Sequence, residues 1–241
     1  MRKNSPQPPP ASAAKVVRNR VRRGGDRYWK HADFQGLAPA AVAKALSRLA
    51  QQGELKQVKK GVYYRPVPTS FGMSVPSASA VAAQTLRAPI HPAGLSAANA
   101  LGLTTQNPRR PEFATPAASR PTALSGAIVH TGRPPQRTGL SVEDGAILEI
   151  LRERARSSDL SPDATVQRLT RLLVDEDRFR RLASAAMAEP PRVRAMLGAL
   201  GQQLDMPAAV VDRLRRSLNP LSRFDFGALR ALRYAADWQA K

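Results

Sequence analysis

Between Ser12 and Pro66 the spacing of apolar side chains changes period at Gly53, and that order of periods narrows the choice of fold more than any other feature. Val42, Ala45, Leu46 and Leu49 recur at helical spacing on a segment opened by Pro39 and running to about Gln52. Beyond Gly53, residues 55–58 and 62–65 read as two short strands joined at Lys59-Lys60-Gly61, with Gly61 supplying the positive φ of a tight turn. Upstream, residues 12–23 read as a basic helix with Val16, Val17 and Val21 inward, ended by Gly24-Gly25. Tyr28 and Trp29 lead into a short helix at about 31–35, and Gly36-Leu37-Ala38 is the turn before the third helix. Helix, short helix, turn, helix and hairpin is the order of a winged helix-turn-helix.

Charge is concentrated in the same segment. The chain of 241 residues carries 38 Lys and Arg against 18 Asp and Glu, a net charge of +20. Residues 1–66 hold 15 basic and 3 acidic side chains, whereas residues 140–241 hold 17 and 14. A genome rich in arginine codons would spread the excess evenly, so the asymmetry points to a polyanion-binding N-terminal third.

The third helix separates two faces. Val42, Ala45, Leu46 and Leu49 point toward the first two helices, and the opposite face carries Ala40, Lys44, Ser47, Arg48 and Gln51. Lys and Arg pair with phosphates or guanine edges and Gln with adenine, while Ala40 permits close approach. Lys59 and Lys60 place charge at the hairpin tip, where a wing lies on the backbone or in the minor groove. Taken singly, a charged outer helix face is ordinarily a solvated one, and Lys-Lys-Gly is an ordinary turn. The coincidence of all these features carries the reading.

The rest of the chain is punctuated by proline. Residues 1–11 read as a disordered tail, 12–66 as the DNA-binding domain, and 67–92 as a linker around one short helix near 79–86. Residues 93–241 read as one domain, α+β at first and then helical. Its elements include a short helix at 96–101 and strands at 113–115 and 127–129. Helices follow from Ser141, from Ser161-Pro162-Asp163, after Glu189-Pro190-Pro191, near 207–218 and over 226–239. The expected fold class is mainly α with short β elements: a winged helix-turn-helix, a small α+β middle segment and a helical C-terminal region.

Several chemistries lack their residues. There is no cysteine, which excludes disulfides, thiolate zinc sites and a cysteine nucleophile. His31, His91 and His130 lack metal-ligand spacing and read as surface or partly buried, and no phosphate loop, nucleophile elbow or HExxH is present. Asp175-Glu176-Asp177 reads as a helix start rather than a magnesium site. No catalytic residue, cofactor or metal is expected. The basic start runs into proline rather than an apolar core, and no run is long enough to span a bilayer, so a cytoplasmic protein without a membrane partner is expected. Arg223 and Phe224, in the turn before the last helix, read either as a structural corner or as anchors for a second chain, and Trp238 as a cap on the core or a dimer contact.

The segments Ala45-Leu46-Ser47-Arg48-Leu49, Gly53-Glu54-Leu55 and Lys60-Gly61-Val62-Tyr63-Tyr64 together resemble the N-terminal winged helix of AbiEi-like antitoxins of bacterial type IV toxin–antitoxin systems. The block Gly94-Leu95-Ser96-Ala97-Ala98-Asn99-Ala100-Leu101-Gly102-Leu103-Thr104-Thr105-Gln106 is similar to a stretch that those proteins carry after the linker, so the resemblance spans about residues 12–135. It implies a transcriptional repressor that binds inverted repeats in its own promoter through Lys44, Ser47, Arg48, Gln51, Lys59 and Lys60. It also implies a C-terminal part that counteracts a nucleotidyltransferase-like toxin. Residues 140–241 lie outside the matched stretch, which leaves open a protein-interaction antitoxin and a stand-alone regulator. An RNA- or nucleotide-acting enzyme is a third reading, and the oligomeric state stays open.

Overall fold

Ser12 starts the first helix: its hydroxyl accepts a hydrogen bond from the Lys15 amide at 3.4 Å, ahead of α1 (Ala13–Arg23). The computed structural model describes residues 12–25, 27–70, 72–74, 81, 89–121, 124 and 126–241. The expected tail at 1–11 and the helix expected near 79–86 lie outside the described residues, apart from Val81. The chain divides into two units, residues 1–86 and 87–241.

In the first unit α1 is followed by β1 (Tyr28–Lys30), a 3-10 helix (His31–Phe34), α2 (Pro39–Gln51), β2 (Lys56–Lys59) and β3 (Val62–Tyr64). The sheet order is β1-β3-β2, all antiparallel, so the β2–β3 hairpin is completed by a strand from before α2. That strand is a correction to the sequence reading, which passed from Tyr28-Trp29 directly into a helix. The second helix is also a single tight turn. The core consists of Val17 and Val21 from α1, Trp29, Phe34, the four apolar residues of α2, Leu55 and Tyr63. Gly24 ends α1 where a Cβ would overlap the Trp29 indole, so the close approach of chain and ring requires glycine. Within the segment expected as linker, β4 (Pro68–Thr69) pairs antiparallel with β5 (Gly72–Met73).

The second unit begins with β6 (His91–Pro92), α3 (Gly94–Ala100), β7 (Glu112–Ala114) and β8 (Ile128–His130). β7 is central, antiparallel to β6 and parallel to β8. Among the described residues five longer helices follow: α4 (Val142–Glu153), α5 (Pro162–Leu172), α6 (Glu176–Ala186), α7 (Pro191–Gln203) and α8 (Ala208–Arg216). Their caps match the sequence signals: the Ser141 hydroxyl accepts from the Asp144 amide at 3.0 Å, and the Asp175 carboxylate from the Arg178 amide at 2.6 Å. α7 buries every residue from Ala195 to Gly201, the mark of a helix surrounded by others. The unit is mainly α with short β elements, and so is the whole chain. Among the described residues no helix is long and apolar enough to cross a membrane.

The helix expected at 226–239 is replaced by two 3-10 turns, Gly227–Ala231 and Ala236–Trp238. The reason lies in the spacing. Leu229, Leu232, Ala235 and Trp238 are all buried and stand three residues apart, the repeat of a 3-10 helix and not of an α-helix. Their amides each bond to the carbonyl three residues back, from Leu229 to Phe226 through to Trp238 to Ala235. The tail is then tied to Phe224 by a parallel bridge to Ala240.

Candidate nucleic-acid interface

α2 sorts its residues as its periodicity dictates. Val42, Ala45, Leu46 and Leu49 are buried, and Ala40, Lys44, Ser47, Arg48 and Gln51 are all exposed on the other side. Pro39 occupies the first helical position, where no amide is needed, and Gly53 follows the last turn at φ +76°. Lys59 and Lys60 are exposed at the end of the wing, and Gly61 turns it at φ +78°. β2 adds exposed Lys56 and Gln57, with an irregular register between Gln57 and Lys59. The six residues singled out in the sequence thus lie on two adjoining elements of one unit.

The first helix contributes more than the sequence reading assigned to it. A crevice of about 240 Å³ between α1 and α2 is lined by Lys15 and Arg18 on one side and Arg48 on the other. Three cations therefore border one concave surface beside the α2 face. Their signal in the sequence was the run of basic residues in 12–23, which gave no register against α2. Arg18 also donates to the Gln52 side chain at 2.8 Å. Arg22 grips Glu54 with two bonds of 2.9 and 3.0 Å, which fixes α1 to the entry of the wing. The Arg22 hydrogen bond holds the Glu54 carboxyl below its ordinary range against the opposing effect of burial.

Most of the other residues that the sequence singled out fall in the second unit. Phe224 is half-buried against the helical core and pairs its backbone with residues 239–241, and Arg223 is exposed beside it. Trp238 is buried, and its indole donates to Gln202 at 2.8 Å. His91 departs from expectation: it is 1% exposed, packed where Gly145 leaves room, because β6 carries it under α4. His130 is partly exposed and meets Glu112 at 2.6 Å. His31, in the first unit, is exposed.

A buried charge network escaped the sequence reading. Arg137 joins Glu149 and Glu189, Arg133 reaches Glu149 at 2.8 Å, and Arg152 reaches Glu189 at 2.6 Å. It locks the 3-10 turn Pro135–Gly139 to α4 and to the segment between α6 and α7. Its carboxylates are saturated by guanidinium donors, which is the arrangement of a structural clamp.

Residues 28–128 match the model of a family of unknown function (DUF6088), a stretch that begins at β1 and ends at β8. Among solved structures, the chain is similar to the RV2827C protein from Mycobacterium tuberculosis, with 19% sequence identity and a TM-score of 0.51, over 96% of this chain and 91% of that one. This likeness is one of fold. No curated protein is matched by the sequence.

Proposed function

We propose that this protein is a DNA-binding autorepressor of the antitoxin type, which reads its own promoter through α2 and the wing. The observation that carries the reading is the exposure of Lys44, Ser47, Arg48 and Gln51 along one side of a helix whose other side is buried, next to a wing tipped by Lys59 and Lys60. Arg48 and Gln51 are the base-reading residues. Lys44, Lys59, Lys60, Lys15 and Arg18 neutralise phosphates. The resemblance to AbiEi-like antitoxins supports inverted repeats as the operator, a nucleotidyltransferase-like toxin as the partner of the second unit, and a cytoplasmic setting.

The test is binding of the purified chain to the DNA upstream of its own gene and to a scrambled duplex of equal length, followed by fluorescence anisotropy across salt concentrations. A promoter reader binds the upstream DNA at least ~10³-fold more tightly, and log affinity falls linearly with log salt at about 0.9 per phosphate neutralised. Equal binding to both duplexes removes the repressor reading. It leaves an antitoxin that works through protein contacts alone.

A further inference from the structure

We propose that α1 carries a second anion site, separate from the α2 face, in which Arg20, Arg23, Arg27 and Trp29 hold a phosphate group. A cavity of about 460 Å³ opens between α1 and the segment that follows it, and no residue of α2 lines it. Arg20 and Arg23 stand three residues apart on the helix, Arg27 comes from the loop, and Asn19 adds a polar amide. Trp29 forms part of the wall. Its side chain is 1% exposed, and its indole N–H has no hydrogen-bond partner among the described residues.

Two of these arginines are held in place by rings. The Arg27 guanidinium lies 4.1 Å from the centre of the Trp29 ring, Trp29 stacks on Phe34 at 5.4 Å, and Arg20 lies 5.8 Å from the Phe34 ring. An arginine fixed against an aromatic face gives up little freedom on binding, and its planar fork matches the oxygens of a phosphate. Charge balance points the same way. Arg27 pairs with Asp33 at 3.4 Å, while Arg20 and Arg23 enter no ion pair among the described residues. A phosphate oxygen supplies the negative partner that Arg20 and Arg23 lack.

The phosphate can belong to a free nucleotide or to a nucleic-acid backbone, and the experiment separates these sources. The full chain, labelled with nitrogen-15, is titrated at constant ionic strength with inorganic phosphate, adenosine monophosphate and a random duplex. The readout is the indole N–H resonance of Trp29, distinguished from that of Trp238 by the spectrum of Trp238→Phe. The Trp29 resonance moves saturably, that of Trp238 stays, and Arg20→Gln with Arg23→Gln weakens the response at least ~10-fold. Saturation by inorganic phosphate or the mononucleotide assigns a free phosphate, and saturation by the duplex alone assigns a backbone. The site is disproved if chloride moves the resonance as far, if the double variant responds as the parent does, or if no probe moves it. The phosphate and mononucleotide arms do not depend on promoter recognition by the α2 face, so failure of that recognition leaves their result standing.

Discussion

Arg137 Nε stands 2.7 Å from Glu189 Oε1, and both side chains are completely withdrawn from solvent. Removing two charges from water costs several kcal/mol each, and the pair persists because Glu149, Arg133 and Arg152 complete the network. Arg137→Met leaves Glu149 with Arg133 and Glu189 with Arg152 as their remaining guanidinium partners, and destabilises the second unit by up to about 3–5 kcal/mol. Glu149→Gln and Glu189→Gln added to it recover part of that loss. Trp238 lies in the core of this unit and Trp29 in that of the other, so chemical denaturation followed through each tryptophan localises the effect. A loss below about 1 kcal/mol from Arg137→Met means that the network contributes no net stability.

His91 gives the second unit a pH dependence. Burial, reinforced by the positive charge of Arg137, pushes its imidazole below the ordinary histidine range. Both ring nitrogens are withdrawn from solvent, and the backbone of Arg137 and Ser141 only partly offsets the effect of burial. The unfolded chain therefore takes up the proton first. Stability is complete above the unfolded value of about 6.5 and falls as pH drops below it. His91→Leu, close in volume and with no polar atom to satisfy, stays within about 1 kcal/mol of the parent at pH 7.5. Between pH 6.5 and 5 the variant loses less stability than the parent, as read from midpoints of urea denaturation. Identical pH slopes for both proteins refute the assignment.

How much of this was legible in the sequence depended on the range of the interactions. Val42, Ala45, Leu46 and Leu49 announced α2 because helical periodicity is local, and Ser141, Ser161 and Asp175 announced their helices for the same reason. β1 was missed because three residues carry no period, and the partner that makes Tyr28–Lys30 a strand lies beyond α2, in β3. Nothing local singled out Arg137, since Glu189, its buried partner, is 52 residues away. The 3-10 tail was a misreading of visible information: residues 229, 232, 235 and 238 already repeat every third position. At the candidate interface, both faces of α2 were legible. The crevice shared by Lys15, Arg18 and Arg48 was not, because the rotation of α1 about its axis is set by packing.

Gly198 marks a close contact in the helical core. A Cβ on this residue of α7 would overlap the six-membered ring of Trp238, which is itself buried and bonded to Gln202. Gly198→Ala forces the indole out of place and costs about 1–3 kcal/mol, despite the better helix propensity of alanine. Trp238 fluorescence shifts to the red as the ring meets water. Gly139→Ala, where a Cβ meets nothing within 4 Å, stays within about 0.5 kcal/mol of the parent and serves as the control.

On the proposed reading of α2 and the wing, two substitutions separate sequence recognition from charge. Arg48 is exposed at the centre of the α2 face and borders the crevice with Lys15 and Arg18, a position from which it reaches a base edge. Arg48→Ala then relaxes preference at one operator position, at a cost of about 1–3 kcal/mol, and leaves affinity for scrambled DNA nearly unchanged. Lys59→Ala with Lys60→Ala acts on phosphates instead. Affinity for every duplex falls together, and the dependence of log affinity on log salt flattens by about 0.9 for each phosphate no longer neutralised. Competition binding against single-base operator variants reads the first effect, and a salt series reads the second. If Arg48→Ala keeps full discrimination at every position, α2 does not read bases through this residue, and the base-reading assignment fails.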